Sequence, residues 1–318
     1  MANVDPATQS GAQPAAAAAP EASGAKPRPP VKLRHYLEAG LAYIFMTFLK
    51  LLSWPLASNV GGWLGRTLGP LTKPWRIATR NISRALPELP EKDRQDAVRA
   101  AFDNFGRVMA EYAQLPKLWG SRWDGLIDVQ GQAGLQWAVA NKPVIVFTAH
   151  IGNWELIPMV LANHGKPAML VYRAPNNPLV DDMILNIRTT YAAGMAPKGA
   201  DGLRAIVQHI QDGGTVFMVV DQKTNTGPEI PFFGRGARTG KAIARIAMKY
   251  GCKLIPVRSE RIGGSRFRIT FDGPWSVEGN AGDEGHIRQT LTKLNAKIEE
   301  WVRATPGQWM WMHKRWPD

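Results

Sequence analysis

Val144-Ile-Val-Phe-Thr-Ala-His150-Ile-Gly-Asn-Trp-Glu155-Leu156 is the run whose reading decides the fold. Val144 to Thr148 are all β-branched or aromatic, which predicts a buried strand, and the turn at Gly152-Asn153 predicts that a helix starts just beyond it. Strand, loop and helix start together deliver His150 to the end of a parallel sheet. Glu155, on the first turn of that helix, could then reach back to one imidazole nitrogen and leave the other to take a proton from a hydroxyl. An isolated histidine more often caps a helix or satisfies a core carbonyl, so the rest of the chain has to decide its meaning.

Working outward, the pattern alternates. Helices are predicted over 154–163, 178–193, 203–211, 239–250 and 284–303, and strands over 167–172, 215–220, 253–257 and 266–271. Upstream, 126–129 reads as a short strand and 135–141 as a short helix, with longer helices over 75–86 and 91–115. Strands separated by helices predict an α/β fold whose mostly parallel central sheet is flanked by helices, with chemistry at the carboxyl ends of the strands. Asp221, in Val219-Val-Asp-Gln-Lys-Thr-Asn-Thr-Gly227, follows such an end just as His150 does, although a turn cap is an equal reading of it. Arg173 and Arg188 lie on segments that return to the same rim and could supply positive charge to an oxyanion. Neither GxGxxG nor GxxxxGK[ST] is present, so nucleotide binding has no positive support. A zinc site from His150, His164 and a carboxylate matches no usual ligand spacing, and no metal is expected.

The 318 residues suffice for a sizeable core. With 39 Lys and Arg against 26 Asp and Glu, the chain carries a formal charge of +13 and an isoelectric point near 10.0. Such an excess points to nucleic acid, anionic lipid or an acidic protein as partner. Cys252 is the single cysteine, which excludes an internal disulfide and a finger-type zinc site; its setting suggests a small core residue. Several of the twelve tryptophans neighbour cations, as in Trp75-Arg76, Arg122-Trp123 and Trp311-Met-His-Lys-Arg-Trp316, a pairing suited to a membrane interface.

Residues 1–30 are Ala, Pro, Gly and Ser-rich and predict a disordered tail. Residues 31–85 read as a membrane-attached helix with a basic interfacial segment, and 86–318 as the catalytic domain. The apolar stretch from Leu37 to Ala57 reaches spanning length only by including Lys50. A membrane-spanning helix, a helix lying in the interface and a cleaved signal peptide are the three readings; the long preceding tail disfavours the last.

The motifs His150-Ile-Gly-Asn-Trp-Glu155, Asp221-Gln-Lys…Gly227, Pro231-Phe-Phe-Gly234 followed by Thr239, and Gln308-Trp-Met-Trp-Met-His-Lys-Arg-Trp316 occur in one order. Together they resemble the lipid A late acyltransferase family, the lauroyl and myristoyl transferases of the HxxxxD/E, lysophospholipid-acyltransferase-like superfamily. The resemblance runs from the helix near Leu37 to the C-terminus. It implies a glycerol-phosphate-acyltransferase-like α/β domain behind an N-terminal membrane helix. It also implies O-acyl transfer from acyl carrier protein, or acyl-CoA, to a hydroxyl of a lipid A precursor, with no other cofactor. By this resemblance His150 is the base and Glu155 its partner, and Arg188 and Asp221 are further polar site residues; Thr239, from the third motif, and Arg173, from its place on the rim, are weaker candidates. The implied place is the bacterial inner membrane, with the site facing the cytoplasm and no nucleic-acid partner. Another polar lipid as acceptor keeps the same chemistry. A non-enzymatic protein binding anionic lipid or nucleic acid leaves the placement of His150 unexplained.

Overall fold

The computed structural model describes residues 30–119, 123, 125–140 and 142–317. The expectation for the tail lies outside these residues, Pro30 apart, as does Arg122. Five helices come first: α1 (Leu33–Leu51), α2 (Trp54–Leu68), α3 (Lys73–Ala85), α4 (Glu91–Tyr112) and α5 (Leu115–Trp119). Then follow β1 (Ile127–Gln130), α6 (Gln132–Ala138), β2 (Val144–Thr148), α7 (Leu156–Asn163), β3 (Met169–Tyr172), α8 (Pro178–Arg188), β4 (Gly194–Pro197), α9 (Ala200–Gln211) and β5 (Thr215–Val219). The chain ends with the hairpin β6 (Glu229–Phe232) and β7 (Arg235–Arg238), α10 (Ala242–Tyr250), β8 (Lys253–Gly263), β9 (Arg266–Phe271) and α11 (Glu284–Ala304).

The main sheet runs β1-β9-β8-β2-β5-β3-β4, and only the β8–β9 pair is antiparallel. The α/β class and mostly parallel sheet are therefore as expected. β2 lies in the middle and is buried along its whole length. Its alternate side chains feed two cores: Ile145 and Phe147 pack with α3, α4, α10 and α11, while Val144 and Val146 pack with α6 and α7. Besides α5 and most of α2, the elements not expected from the sequence are β4 and the β6–β7 hairpin. β4 is a four-residue edge strand containing Gly and Pro, residues that edge positions tolerate. The β6–β7 hairpin turns through Phe233 and Gly234, both at positive φ (53° and 65°), the geometry that matches the twist of its strands.

The N-terminal apolar stretch is two helices, not one. α1 ends at Leu51, Leu52 and Ser53 are extended, and α2 begins at Trp54. Pro55 explains the break: inside a continuous helix it would lose the bond to residue 51 and clash with that turn. Lys50 therefore sits in the last turn of α1, where a cation suits the helix dipole, rather than at the centre of a span. Among the described residues no helix is long and apolar enough to cross a membrane. α1 nevertheless buries only His35, Ala39 and Leu49, and leaves Leu33, Leu37, Leu41, Ile44, Phe48 and Leu51 exposed along one stripe.

α2 and α4 approach closely because glycine lines their contact. A Cβ on Gly106 would lie 2.1 Å from the Gly61 carbonyl oxygen, and one on Gly61 would lie 2.3 Å from that of Gly106. Backbone faces backbone there, so a side chain must push the helices apart. Gly106→Val is expected to destabilise the protein by about 2–3 kcal/mol. Gly40→Ala, in α1 with nothing within 4 Å of the new methyl, is expected to be neutral or slightly stabilising. Thermal denaturation of the two variants checks this; equal melting temperatures would contradict the close-packing account.

Candidate active site

β2 and β5 are parallel neighbours with Thr148 opposite Val219. Two residues further along each chain stand His150 and Asp221, so the register sets the two side chains against each other. His150 Nδ1 lies 2.6 Å from Asp221 Oδ1, and the His150 backbone N–H donates to Oδ2 at 2.9 Å. The Trp309 indole N–H adds a third bond, to Oδ2, at 2.7 Å. Burial alone would raise the Asp221 pKa, but attraction to His150 and these hydrogen bonds outweigh it and hold the carboxyl well below its ordinary value. An ionised Asp221 can only accept, so the proton between the pair belongs to Nδ1, and in the neutral form of the ring the lone pair is then on Nε2. Nε2 faces the side-chain amide of Gln222 at 3.4 Å, a donor contact that a substrate hydroxyl can replace. The His150 side chain is 15% exposed against 3% for Asp221, which leaves the ring reachable and its carboxylate sealed.

Glu155 does not hold His150, contrary to the reading of the HxxxxE spacing. It is the N-cap residue of α7, and its buried carboxylate accepts from Arg188 Nη2 (2.5 Å), Arg188 Nε (3.2 Å) and Trp154 Nε1 (3.0 Å). Tyr191 OH lies 3.5 Å from its other oxygen. Arg188 has the opposite charge and a planar fork that fits a carboxylate, and Asp221 already occupies the imidazole nitrogen, so Glu155 turns away. Burial would lower the Arg188 pKa, but Glu155 keeps it raised; burial and Glu155 both push the phenol of Tyr191 up. Trp154 touches both pairs: its indole N–H donates to Glu155, and its ring meets the His150 ring edge-on with centroids 4.8 Å apart.

The loop between these pairs is braced from behind. Gly152 adopts φ 58°, and a Cβ there would lie 2.2 Å from the Ser259 carbonyl oxygen, so the position requires glycine. Asn104 donates to the Gly152 carbonyl at 2.9 Å, and Asn153 donates to Glu111 at 2.8 Å. Glu111 is fully buried and also accepts from Ser58 (2.6 Å) and both terminal nitrogens of Arg261 (2.6 and 3.0 Å). On the other side the C-terminal segment runs antiparallel to the loop: Met310 N–H donates to the His150 carbonyl, Gly152 N–H to that of Gln308, and Ile151 bridges Trp309. Trp309, Trp311 and Trp316 are consequently core residues rather than interfacial ones.

The weaker candidates divide. Arg173 is exposed just beyond β3, on the same rim; after burial, its charge is the main influence lowering the pKa of Lys198. Thr239 is buried, donates to the Ala237 carbonyl, and accepts from Arg315 at 2.9 Å, which ties it to the end of β7. Burial pulls Arg315 down to about 10, which leaves it charged at neutral pH. His313, which sequence reasoning passed over, lies near His150 and Asp221; burial takes it down to about 4, and it accepts the Lys223 N–H through Nε2. Cys252 is buried in the core, and burial pushes its thiol up to about 11. No three His, Cys, Asp or Glu side chains gather as a metal site among the described residues. A cavity of about 540 Å³ lies behind the loop, between Arg66, Asn104, Arg261 and Gln308 rather than over His150.

A neutral imidazole with one nitrogen fixed by a carboxylate and the other reachable is equipped to deprotonate a hydroxyl. Residues 28–318 match the family model described as bacterial lipid A biosynthesis acyltransferase. The lipid A biosynthesis palmitoleoyltransferase of Escherichia coli (strain K12) is 26% identical over 264 residues, covering 79% of this chain and 83% of that protein. The lipid A biosynthesis myristoyltransferase of the same strain is 25% identical over 265 residues (82% and 79%). The phosphatidylinositol mannoside acyltransferase of Mycolicibacterium smegmatis (strain ATCC 700084 / mc(2)155) is 22% identical over 243 residues (74% and 78%). With the family model covering the chain from before α1 to its end, the protein belongs to the bacterial lipid A biosynthesis acyltransferases.

Proposed function

We propose that this acyltransferase moves a fatty acyl chain from a thioester donor, acyl carrier protein or acyl-CoA, to a hydroxyl of a lipid A precursor, with His150 as general base. The observation that carries this reading is the His150–Asp221 pair, with Nδ1 held at 2.6 Å and Nε2 reachable. Nε2 takes the hydroxyl proton as the oxygen attacks the thioester carbonyl. The tetrahedral intermediate expels the thiolate, which takes the proton back from Nε2. Asp221 stabilises the imidazolium between these steps. Glu155 serves the reaction through Arg188, holding in place a guanidinium that could stabilise the developing oxyanion. Arg173 and Lys198, at the ends of β3 and β4, suit the phosphates of the acceptor. An acidic carrier protein would be drawn to the net charge of +13.

His150→Ala and Asp221→Asn are each expected to lower transfer by about 10²–10⁴-fold, and His150→Ala, which strips the buried Asp221 of its imidazole partner, is also expected to lower the melting temperature. Glu155→Gln should lower it too, by releasing Arg188. Mass spectrometry of lipid made by purified protein from a mixed acyl-carrier pool measures all three; near wild-type transfer in His150→Ala would sink the mechanism.

The phosphatidylinositol mannoside relatives favour a second acceptor class, another polar glycolipid, served by the same residues. Lipid A from cells with and without the gene separates the two: loss of one acyl chain supports the first reading, and unchanged lipid A with an altered polar lipid supports the second.

The exposed stripe of α1, flanked by Lys32, Arg34 and Lys50, supports a helix lying in the headgroup region of the bacterial inner membrane, with the catalytic rim on the cytoplasmic side. Leu37→Glu/Leu41→Glu/Ile44→Glu is expected to abolish cosedimentation with vesicles of phosphatidylethanolamine and phosphatidylglycerol without unfolding the protein. Undiminished binding of this variant would contradict the interfacial placement.

A further inference from the structure

The C-terminal motif Gln308-Trp-Met-Trp-Met-His-Lys-Arg-Trp316 lies 87 or more residues beyond Asp221 in the chain, yet it reaches the heart of the site. Its backbone pairs with the catalytic loop on both sides of Ile151. Its first tryptophan is 1% exposed and wedged edge-on between Phe232 (5.7 Å) and Trp311 (4.6 Å). Those rings leave the indole one orientation, with its N–H on Asp221 Oδ2 at 2.7 Å. Asp221 thus has one oxygen for the imidazole and the other shared by two donors, the His150 backbone and Trp309. Of these, the indole alone comes from outside the two strands. The other two donors both belong to His150 and move with it, so the indole is the one donor of the three that ties the carboxylate to a separate, packed element.

We propose that Trp309 is a positioning residue for acyl transfer: its indole N–H fixes Asp221 in the orientation that keeps the shared proton on His150 Nδ1 and frees Nε2 for the acceptor hydroxyl. The inference rests on the reading of His150 as the base. It makes the C-terminal segment part of the catalytic assembly although it touches no reacting atom. The other indoles of the cluster have different duties, Trp311 donating to the Pro306 carbonyl and Trp316 to that of Phe232.

Removing the donor also has a direction in pH. The Trp309 bond is one of the influences that lower Asp221, so its loss raises the affinity of that carboxylate for a proton. A more basic carboxylate holds the imidazolium more tightly, so the acid limb of kcat/KM, set by the base that must lose its proton, should move to higher pH. The other charged or titratable groups within reach of Asp221 are His150, His313, Lys198 and Arg315, and all of them stay in place in the variants below.

Two substitutions test the inference. Trp309→Phe removes the donor and part of the ring. The benzothienyl analogue of tryptophan, placed at 309 by amber suppression, keeps the bicyclic shape and lacks only the N–H, so it remains informative where Trp309→Phe fails to fold. Both are expected to lower kcat by about 10- to 100-fold, the size of one hydrogen bond to a charged group, with KM within about twofold and the acid limb moved upward. Trp316→Phe removes an indole N–H from the same cluster and is expected to lower the melting temperature without moving the acid limb. A readout without substrate is the far-downfield proton resonance of the Nδ1–H···Asp221 bond, which should shift or broaden in both 309 variants. An analogue with wild-type kcat and an unmoved resonance would overturn the inference. So would a loss of kcat in Trp316→Phe as large as in Trp309→Phe with the acid limb of both unmoved, which would mark a packing role. If the wild type transfers no acyl group, the reading of the site fails, while the resonance still decides whether Trp309 holds Asp221.

Discussion

A buried carboxylate that must stay ionised sets the terms for the rest of the structure. Asp221 is out of water, and an isolated charge there would be neutralised by taking a proton. It is kept by three donors that come from two places: the backbone and ring of His150 across the β2–β5 register, and the indole of Trp309 from the far end of the chain. Each donor needs its own support. The register depends on β2 and β5 being neighbours, the loop on Gly152 fitting against Ser259, and the indole on a cluster of buried aromatic rings.

The second carboxylate of the HxxxxE spacing is managed separately. Glu155 takes a planar guanidinium from α8, and the two form a buried pair beside Tyr112 and Tyr191. A third pair, Glu111 with Arg261, sits beneath the loop and links α2, α4 and β8 to Asn153. Removing one partner of such a pair leaves an uncompensated buried charge, so these pairs fix geometry more than they add stability. The result is a braced rim that leaves the His150 ring reachable, set beside helices of which α1 leaves its apolar stripe uncovered.

Much of this was legible in local pattern. The β-branched run from Val144, the helical spacings and the polar residues just after strand ends were enough to predict a mostly parallel sheet and to single out His150, Glu155, Arg188 and Asp221. What the sequence could not give was pairing. Whether Asp221 or Glu155 meets the imidazole depends on which strand lies next to β2, and β5 does so only because β3 and β4 are set outside it. Five residues of spacing made Glu155 look like the partner; an arginine 33 residues on claimed it instead. Trp309, Glu111 and Arg261 reach the site over separations of 88, 42 and 157 residues through their contacts with Asp221, Asn153 and Asn104, and no periodicity reports such distances. Thr239 carried family likeness but no local chemistry. The break between α1 and α2, by contrast, was written in Pro55 and was outweighed by the apolar run around it.

The central claim is that Asp221, not Glu155, dictates the state of His150, because the wrong tautomer would turn the lone pair away from the acceptor hydroxyl. The ¹⁵N chemical shifts of the His150 ring at neutral pH report which nitrogen carries the proton. The account predicts an Nδ1–H tautomer in the wild type and in Glu155→Gln, and a mixed or reversed tautomer in Asp221→Asn. An Nδ1–H tautomer that survives in Asp221→Asn but is lost in Glu155→Gln would contradict it.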